Sequence, residues 1–155
     1  MISMGFFSGN CGVRQGDPLS PYLFICCMEY FSRMLKLASQ QEGFRFHPKC
    51  VVQGITHLAF ADDVLLLSRG DSSSVLCFLQ QLTLFGQTSG LDINPQKSFI
   101  FFRGVGTLQK QSILTASGFR EGQFPFTYLG VPLSPHRLLV SQFSPFLQDL
   151  QLSVD

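Results

Sequence analysis

Residues 56–68 read THLAFADDVLLLS, two apolar runs joined by the adjacent aspartates Asp62 and Asp63. Apolar runs of this length that meet at a polar pair predict a β-hairpin with the carboxylates at its turn. Adjacent carboxylates in an apolar setting repel each other and lose hydration, and a divalent cation such as Mg²⁺ offsets both costs. The stretch therefore predicts a metal site, although an Asp-Asp pair also occurs in ordinary solvated turns.

Two amphipathic helices are predicted around this hairpin. Asp17 and Pro18 mark the start of a long helix that ends near Gly43. Asp71 and Gly90 bound a second helix. The apolar positions that define the two helices are Leu19, Leu23, Cys27, Tyr30, Met34 and Leu37 in the first, and Val75, Leu76, Leu79, Leu82 and Phe85 in the second.

Shorter elements complete the predicted fold. The apolar runs predict strands at residues 44–46, 51–53, 98–102 and 126–131, and a short helix over residues 107–116. Strands that pair mainly as hairpins, with helices packed on one face of an antiparallel sheet, indicate an α+β fold. No internal repeat is present.

The composition restricts the class of protein. Charged residues make up 14% of the 155 residues, and Phe alone occurs 17 times. No apolar run reaches the roughly 20 residues of a membrane span, and the first residues do not resemble a signal peptide, so we expect an intracellular protein of unspecified compartment. The five cysteines form no C-x-x-C pair, and we expect them to be reduced and buried. The net charge of +1 does not by itself indicate a nucleic-acid binder.

A second segment bears on the aspartate pair. Residues 12–21 read GVRQGDPLSP, so that Arg14 and Gln15 lie between Gly12 and Gly16 just ahead of the first predicted helix. Glycines allow a backbone to approach a phosphate or a base closely. The segment alone also fits a well-capped loop, but its position ahead of the aspartate pair favours a joint role.

Four sequence blocks, in this order, resemble the palm of a non-LTR, LINE-type reverse transcriptase, most closely those of plant retroelements. They are residues 12–21, 60–63, 89–98 and 128–133. The resemblance implies a polymerase palm, RNA-directed DNA synthesis by two-metal nucleotidyl transfer, and Mg²⁺ as the cofactor. It also implies an RNA or DNA template-primer and a dNTP as partners, with no membrane.

The resemblance assigns roles to individual residues. It implies that Asp62 is the chief catalytic metal ligand and that Asp63 supports it. The loop with Arg14 and Gln15, including its flanking glycines, is implied to lie near the incoming nucleotide and the template. Lys97 is implied to orient the triphosphate or to protonate the leaving group, although a lysine at a strand end is also commonly a solvated residue.

This sequence lacks one feature of the family. In the family, the palm carries another catalytic Asp on an upstream strand, whereas residues 1–16 of this chain contain no Asp or Glu. We therefore expect residues 1–135 to form a truncated palm without fingers and thumb, residues 136–155 to begin a helical connection toward a thumb, and the chain to be inactive alone. The alternatives are one part of a split polymerase with a complementing fragment, or a non-catalytic RNA-binding or protein-binding module.

Overall fold

The computed structural model describes residues 16–137, which form a mixed helix and strand fold. Contacts divide the chain into two compact units, Met1–Asn94 and Pro95–Asp155. This mixture is compatible with the predicted α+β class. The elements in chain order are α1 (Ser20–Ala38), β1 (His57–Phe60), β2 (Asp63–Leu66), α2 (Ser72–Ser89), β3 (Phe99–Ile100), α3 (Thr107–Ser117), β4 (Arg120–Glu121), β5 (Phe126–Tyr128) and β6 (Val131–Leu133).

The described strands form three separate pairs instead of the one antiparallel sheet that we predicted. β1 pairs with β2 and β5 with β6 in antiparallel fashion, whereas β3 and β4 are parallel. The parallel pair is connected through α3, since parallel neighbours require a crossover. Strands of two to four residues leave few backbone groups for a further neighbour.

The first helix is confirmed, but its boundaries differ from the prediction. Asp17 does not cap it: its carboxylate accepts a hydrogen bond from the backbone N–H of Leu19 (2.8 Å), which closes a turn just before the helix. Pro21, in the first turn, has the fixed φ that suits this position. The helix ends at Ala38, and Gly43, with φ of +94°, lies in the turn that follows.

The core of the first unit lies between α1 and α2. Phe31 packs on Phe85 with ring centroids 4.6 Å apart, and Leu35 is fully buried. The buried stripe of α1 follows the i, i+3, i+4, i+7 spacing of a helix face, but it shares only Met34 with the predicted stripe. Its members are Phe31, Met34, Leu35 and Ala38, whereas Leu19, Leu23 and Leu37 are exposed.

The second helix has the predicted caps. The Asp71 carboxylate accepts from the backbone N–H of Ser74 (3.0 Å), which satisfies one of the amide groups left open at a helix start. Gly90 ends the helix with φ of +73°, a left-handed conformation that glycine adopts without steric cost. Of the predicted apolar face, Phe85 is buried but Leu76 is 45% exposed.

Three of the predicted strand assignments, residues 44–46, 51–53 and 126–131, are wrong. Residues 51–53 lie in a run of turns, and Phe46 forms an isolated bridge with Ser68 instead of pairing with them. Residues 126–131 do not form one strand. The chain reverses between β5 and β6 at Leu129 and Gly130, whose φ values of +52° and +79° suit a tight hairpin turn.

Two further expectations bear on the class of protein. Among the helices within residues 16–137, none combines the length and the apolar character needed to cross a bilayer.

The described cysteines are free thiols, as expected, but Cys26 is exposed and not buried. Burial raises the pKa of the Cys77 thiol, which lies in the core between α1 and α2.

Candidate metal-binding hairpin

The hairpin of β1 and β2 places the two aspartates at adjacent but different positions. Phe60 pairs with Asp63, so the connecting turn consists of Ala61 and Asp62 alone. Asp63 is the first residue of β2, so it lies one position after the turn and not within it as predicted. Both carboxylates are exposed. The sequence prediction of a hairpin is confirmed, and the two side chains are accessible to a cation at its end.

Ala61 holds an uncommon backbone conformation immediately before Asp62. Its φ of +48° lies in the left-handed region, which residues with a Cβ rarely occupy. The hairpin register imposes this conformation, because only two residues connect the paired Phe60 and Asp63. Such conformations persist only where the surrounding structure enforces them, and they occur most often at functional sites.

His57 anchors the beginning of β1 to α1. Its Nε2 lies 2.5 Å from the Ser32 hydroxyl, and its Nδ1 lies 2.9 Å from the hydroxyl of the buried Thr56. Burial lowers the pKa of His57, and the charge of Lys36 lowers it further. The histidine therefore acts as a structural link between β1 and α1.

An open groove of about 450 Å³ runs between α1 and the hairpin. Glu29 lies in its wall, and its carboxylate accepts from the Arg33 guanidinium at 2.8 Å. This hydrogen bond lowers the pKa of Glu29, and the positive charge of Arg33 adds to it. No sequence motif pointed to this acidic residue, which lines the same groove as Ala61. The groove residues are Pro21, Phe24, Ile25, Met28, Glu29, Ser32, Ala59 and Ala61.

The other predicted site residues, apart from Gly16, lie outside the described residues or in the second unit. Gly12, Arg14 and Gln15 lie outside residues 16–137. Gly16 is exposed with φ of +86°, and it precedes the turn that leads into α1. Lys97 is exposed and belongs to the second unit. Their roles toward nucleotide or template stay predictions.

The donor set of the hairpin suits a hard cation but is small. Two exposed carboxylates provide the oxygen ligands that Mg²⁺ prefers, together with retained waters. Within residues 16–137, no group of three or more His, Cys, Asp or Glu side chains is arranged to hold a metal ion. The chemistry of these two carboxylates thus fits a hard cation.

Comparison with known proteins identifies the family. Residues 2–133 match the family described as "Reverse transcriptase (RNA-dependent DNA polymerase)". The chain belongs to the reverse transcriptase family. The matched range contains the four sequence blocks that carried the resemblance. Reverse transcriptases as a family use divalent metal ions, a nucleic-acid template and deoxynucleoside triphosphates.

The relatives of this reverse transcriptase chain are of the non-LTR type. It is 40% identical over 86 residues to the "Retrovirus-related Pol polyprotein from type-1 retrotransposable element R2" of Popillia japonica, covering 56% of the chain and 13% of that protein. The corresponding R2 polyprotein of Nasonia vitripennis is 33% identical over 120 residues, covering 77% of the chain and 11% of the relative. The chain therefore spans about an eighth of the length of the first of these curated relatives.

A plant relative is also similar. The chain is 45% identical over 62 residues to the "Uncharacterized mitochondrial protein AtMg01250" of Arabidopsis thaliana, covering 38% of the chain and 49% of that protein. The R2 relatives named above come from insects, so the predicted plant origin stays a prediction. No solved structure gives a significant match.

Proposed function

We propose that this chain forms the part of a reverse transcriptase palm that presents two metal-binding carboxylates, and that it serves DNA synthesis on an RNA template. The observation that carries the proposal is the exposed pair Asp62 and Asp63 at the end of the β1–β2 hairpin. The family match across residues 2–133 supports it, because this hairpin lies within the matched range.

The proposed chemistry requires the hairpin to hold Mg²⁺. When bound, the cation activates a primer hydroxyl and stabilises the leaving pyrophosphate. Asp62 would be the principal ligand and Asp63 the supporting one. The hairpin register places Asp62 in the turn and Asp63 directly after it, so both backbone positions lie at the same end of the hairpin.

A further carboxylate must complete the site. Residues 1–16 contain no Asp or Glu, and the described residues provide no third ligand near the pair. We propose that the missing ligand comes from polypeptide outside this stretch, either a preceding segment of a longer protein or a complementing chain. Ligands of a metal site act as a unit, so we expect this chain alone to extend a primer very poorly.

Binding of Mn²⁺, which replaces Mg²⁺ and broadens nearby NMR signals, tests the ligand assignment directly. We expect saturable broadening of amide signals centred on residues 60–63 and its loss in Asp62→Asn. Glu42→Gln removes the same charge from an exposed position outside the hairpin, and this variant should bind Mn²⁺ like the wild type. The assignment would be contradicted if the wild type showed no broadening, or if Glu42→Gln weakened the broadening as much as Asp62→Asn does.

Primer extension on an RNA template tests the need for the additional carboxylate. The purified chain and its Asp62→Asn variant are compared with Mg²⁺ and with Mn²⁺. We expect no extension by either protein. Added polypeptide that supplies the missing carboxylate should restore extension by the wild type but not by Asp62→Asn. Extension by the chain by itself, lost in the variant, would show that the chain completes its own metal site.

A further inference from the structure

Charge is distributed unevenly between the two units. The second unit, residues 95–155, contains five Lys or Arg and three acids, for a net charge of +2. The first unit, residues 1–94, contains six Lys or Arg and seven acids, for a net charge of −1. The net charge of +1 for the whole chain conceals this asymmetry. The second unit is therefore the more cationic of the two, which favours an anionic partner there.

An exposed aromatic side chain lies beside one of these cations. Phe99 of β3 is the register partner of Arg120 of β4, and the guanidinium carbon of Arg120 lies 5.0 Å from the centroid of the Phe99 ring. The guanidinium also donates to the Gln96 carbonyl, which restricts its orientation. Phe99 remains 48% exposed. The planar cation thus lies over one face of the ring, and both side chains are exposed to solvent.

The strand that carries Phe99 is held by further aromatic packing. The Phe101 ring stacks on Phe126 with centroids 3.9 Å apart and planes inclined by 20°, and it also contacts Phe124. The Gly122 N–H donates to the Ile100 carbonyl at 2.9 Å, which extends the pairing of β3 with β4. Because these contacts fix both strands, the Phe99–Arg120 pair is preorganised.

Within the described residues of this unit, a second cation next to an aromatic ring is differently arranged. The Lys110 ammonium lies 5.4 Å from the Phe102 centroid, but it also forms a 2.5 Å ion pair with Glu121. Its charge is thereby largely compensated. Arg120, which bonds a neutral carbonyl, retains its full charge for an incoming anion.

We propose that Phe99 and Arg120 form a contact site for single-stranded nucleic acid, in which an unpaired base stacks on the Phe99 ring and its phosphate accepts hydrogen bonds from the Arg120 guanidinium. Stacking platforms combined with cationic side chains are the usual means of binding single strands without sequence preference. A paired base does not expose its face to such a ring, so a duplex should bind less well. This site is additional to the proposed metal-binding hairpin.

Fluorescence anisotropy with a labelled oligouridylate of about 12 nucleotides tests this proposal on the full chain. We expect Phe99→Leu to weaken binding about tenfold, whereas Phe99→Tyr, which keeps the ring, should bind like the wild type. Arg120→Gln should weaken binding and reduce the slope of log K against log salt by about 0.7, the value for one lost phosphate contact on a single strand.

Matched controls separate this site from general electrostatics and from the catalytic proposal. Arg69→Gln removes one exposed Arg from the first unit, and it should have little effect. The Mn²⁺ broadening at residues 60–63 is measured without nucleic acid and the anisotropy without a metal ion, so the two proposals fail independently. Circular dichroism verifies that each variant is folded. Any of three results would overturn the proposal. Phe99→Leu binds with wild-type affinity, Arg120→Gln weakens binding no more than Arg69→Gln does, or the wild type binds an abasic oligonucleotide with equal affinity.

Discussion

The Nε2 atom of His57 lies 2.5 Å from the hydroxyl oxygen of Ser32, and this contact joins the first residue of β1 to the middle of α1. The neighbouring Thr56 hydroxyl holds the other ring nitrogen at 2.9 Å. β1 leads directly into the turn that carries Asp62, so the position of the aspartate pair depends in part on this histidine. His57 thereby connects the helical core of the first unit with its candidate site.

Protonation of His57 should destabilise the fold. Its pKa in the folded protein lies below the usual value of 6.5, because burial and the charge of Lys36 disfavour the imidazolium. Below pH 6.5 the unfolded chain binds a proton at His57 more readily than the folded protein does. The stability that neutral His57 contributes is therefore fully present above pH 6.5 and is lost as the pH falls toward the folded-state pKa. Denaturant unfolding between about pH 8 and pH 5 measures the loss.

Variants assign this pH dependence to one residue. In His57→Gln the decrease in unfolding free energy between the two pH values should be smaller than in the wild type, although the variant is less stable at neutral pH. His136→Gln changes an exposed histidine, and it should keep the wild-type profile. An unchanged profile in His57→Gln would show that another group is responsible.

Local signals in the sequence predicted much of the first unit correctly. The polar pair between apolar runs indicated the hairpin, and the Asp71 and Gly90 caps indicated α2, because these features depend on residues close in sequence. The buried face of α1 was predicted less well. Leu19 and Leu23 are as apolar as Leu35, but α2 packs against the later turns of α1, and this choice depends on tertiary contacts.

The conformations of single residues at tight turns were not predictable. Nothing in the composition of residues 126–131 marks Leu129 as a left-handed residue, yet its φ of +52° allows the chain to reverse there. Ala61 is a similar case at the candidate site. The segregation of charge between the units was also hidden, because the boundary after Asn94 becomes visible only from contacts.

Gly122→Ala should destabilise the second unit. A Cβ at this position would lie too close to the edge of the Phe101 ring, and that ring is confined by its stack on Phe126. Overpacking of this kind typically costs about 1–3 kcal/mol. Thermal unfolding should show a lower Tm. Gly106→Ala adds the same methyl group where nothing lies within 4 Å, so an equal loss there would contradict the steric explanation.

Asp71→Ala should lower the unfolding free energy by about 1 kcal/mol, the usual effect of losing an N-cap. Burial tends to raise the pKa of Asp71, but hydrogen bonds from Ser73 and Ser74 outweigh it and lower the pKa below 3.8. The stabilisation is therefore present above pH 3.8 and is lost as the pH falls through the folded-state pKa. Asp71→Asn keeps an acceptor oxygen and should retain most of the stability in urea unfolding at neutral pH.

Substitutions of Ala61 should reveal the strain in the turn before Asp62. Ala61→Val places a β-branched residue at a φ of +48° and should cost about 1–2 kcal/mol. Ala61→Gly relieves the strain but gives the unfolded chain more freedom, so its net effect should be close to zero. Ala59→Val makes the same change in the extended strand β1, where valine is favourable. Urea unfolding of the three variants measures these differences. Equal losses in Ala61→Val and Ala59→Val would mean that groove crowding, and not the left-handed backbone, is the cause.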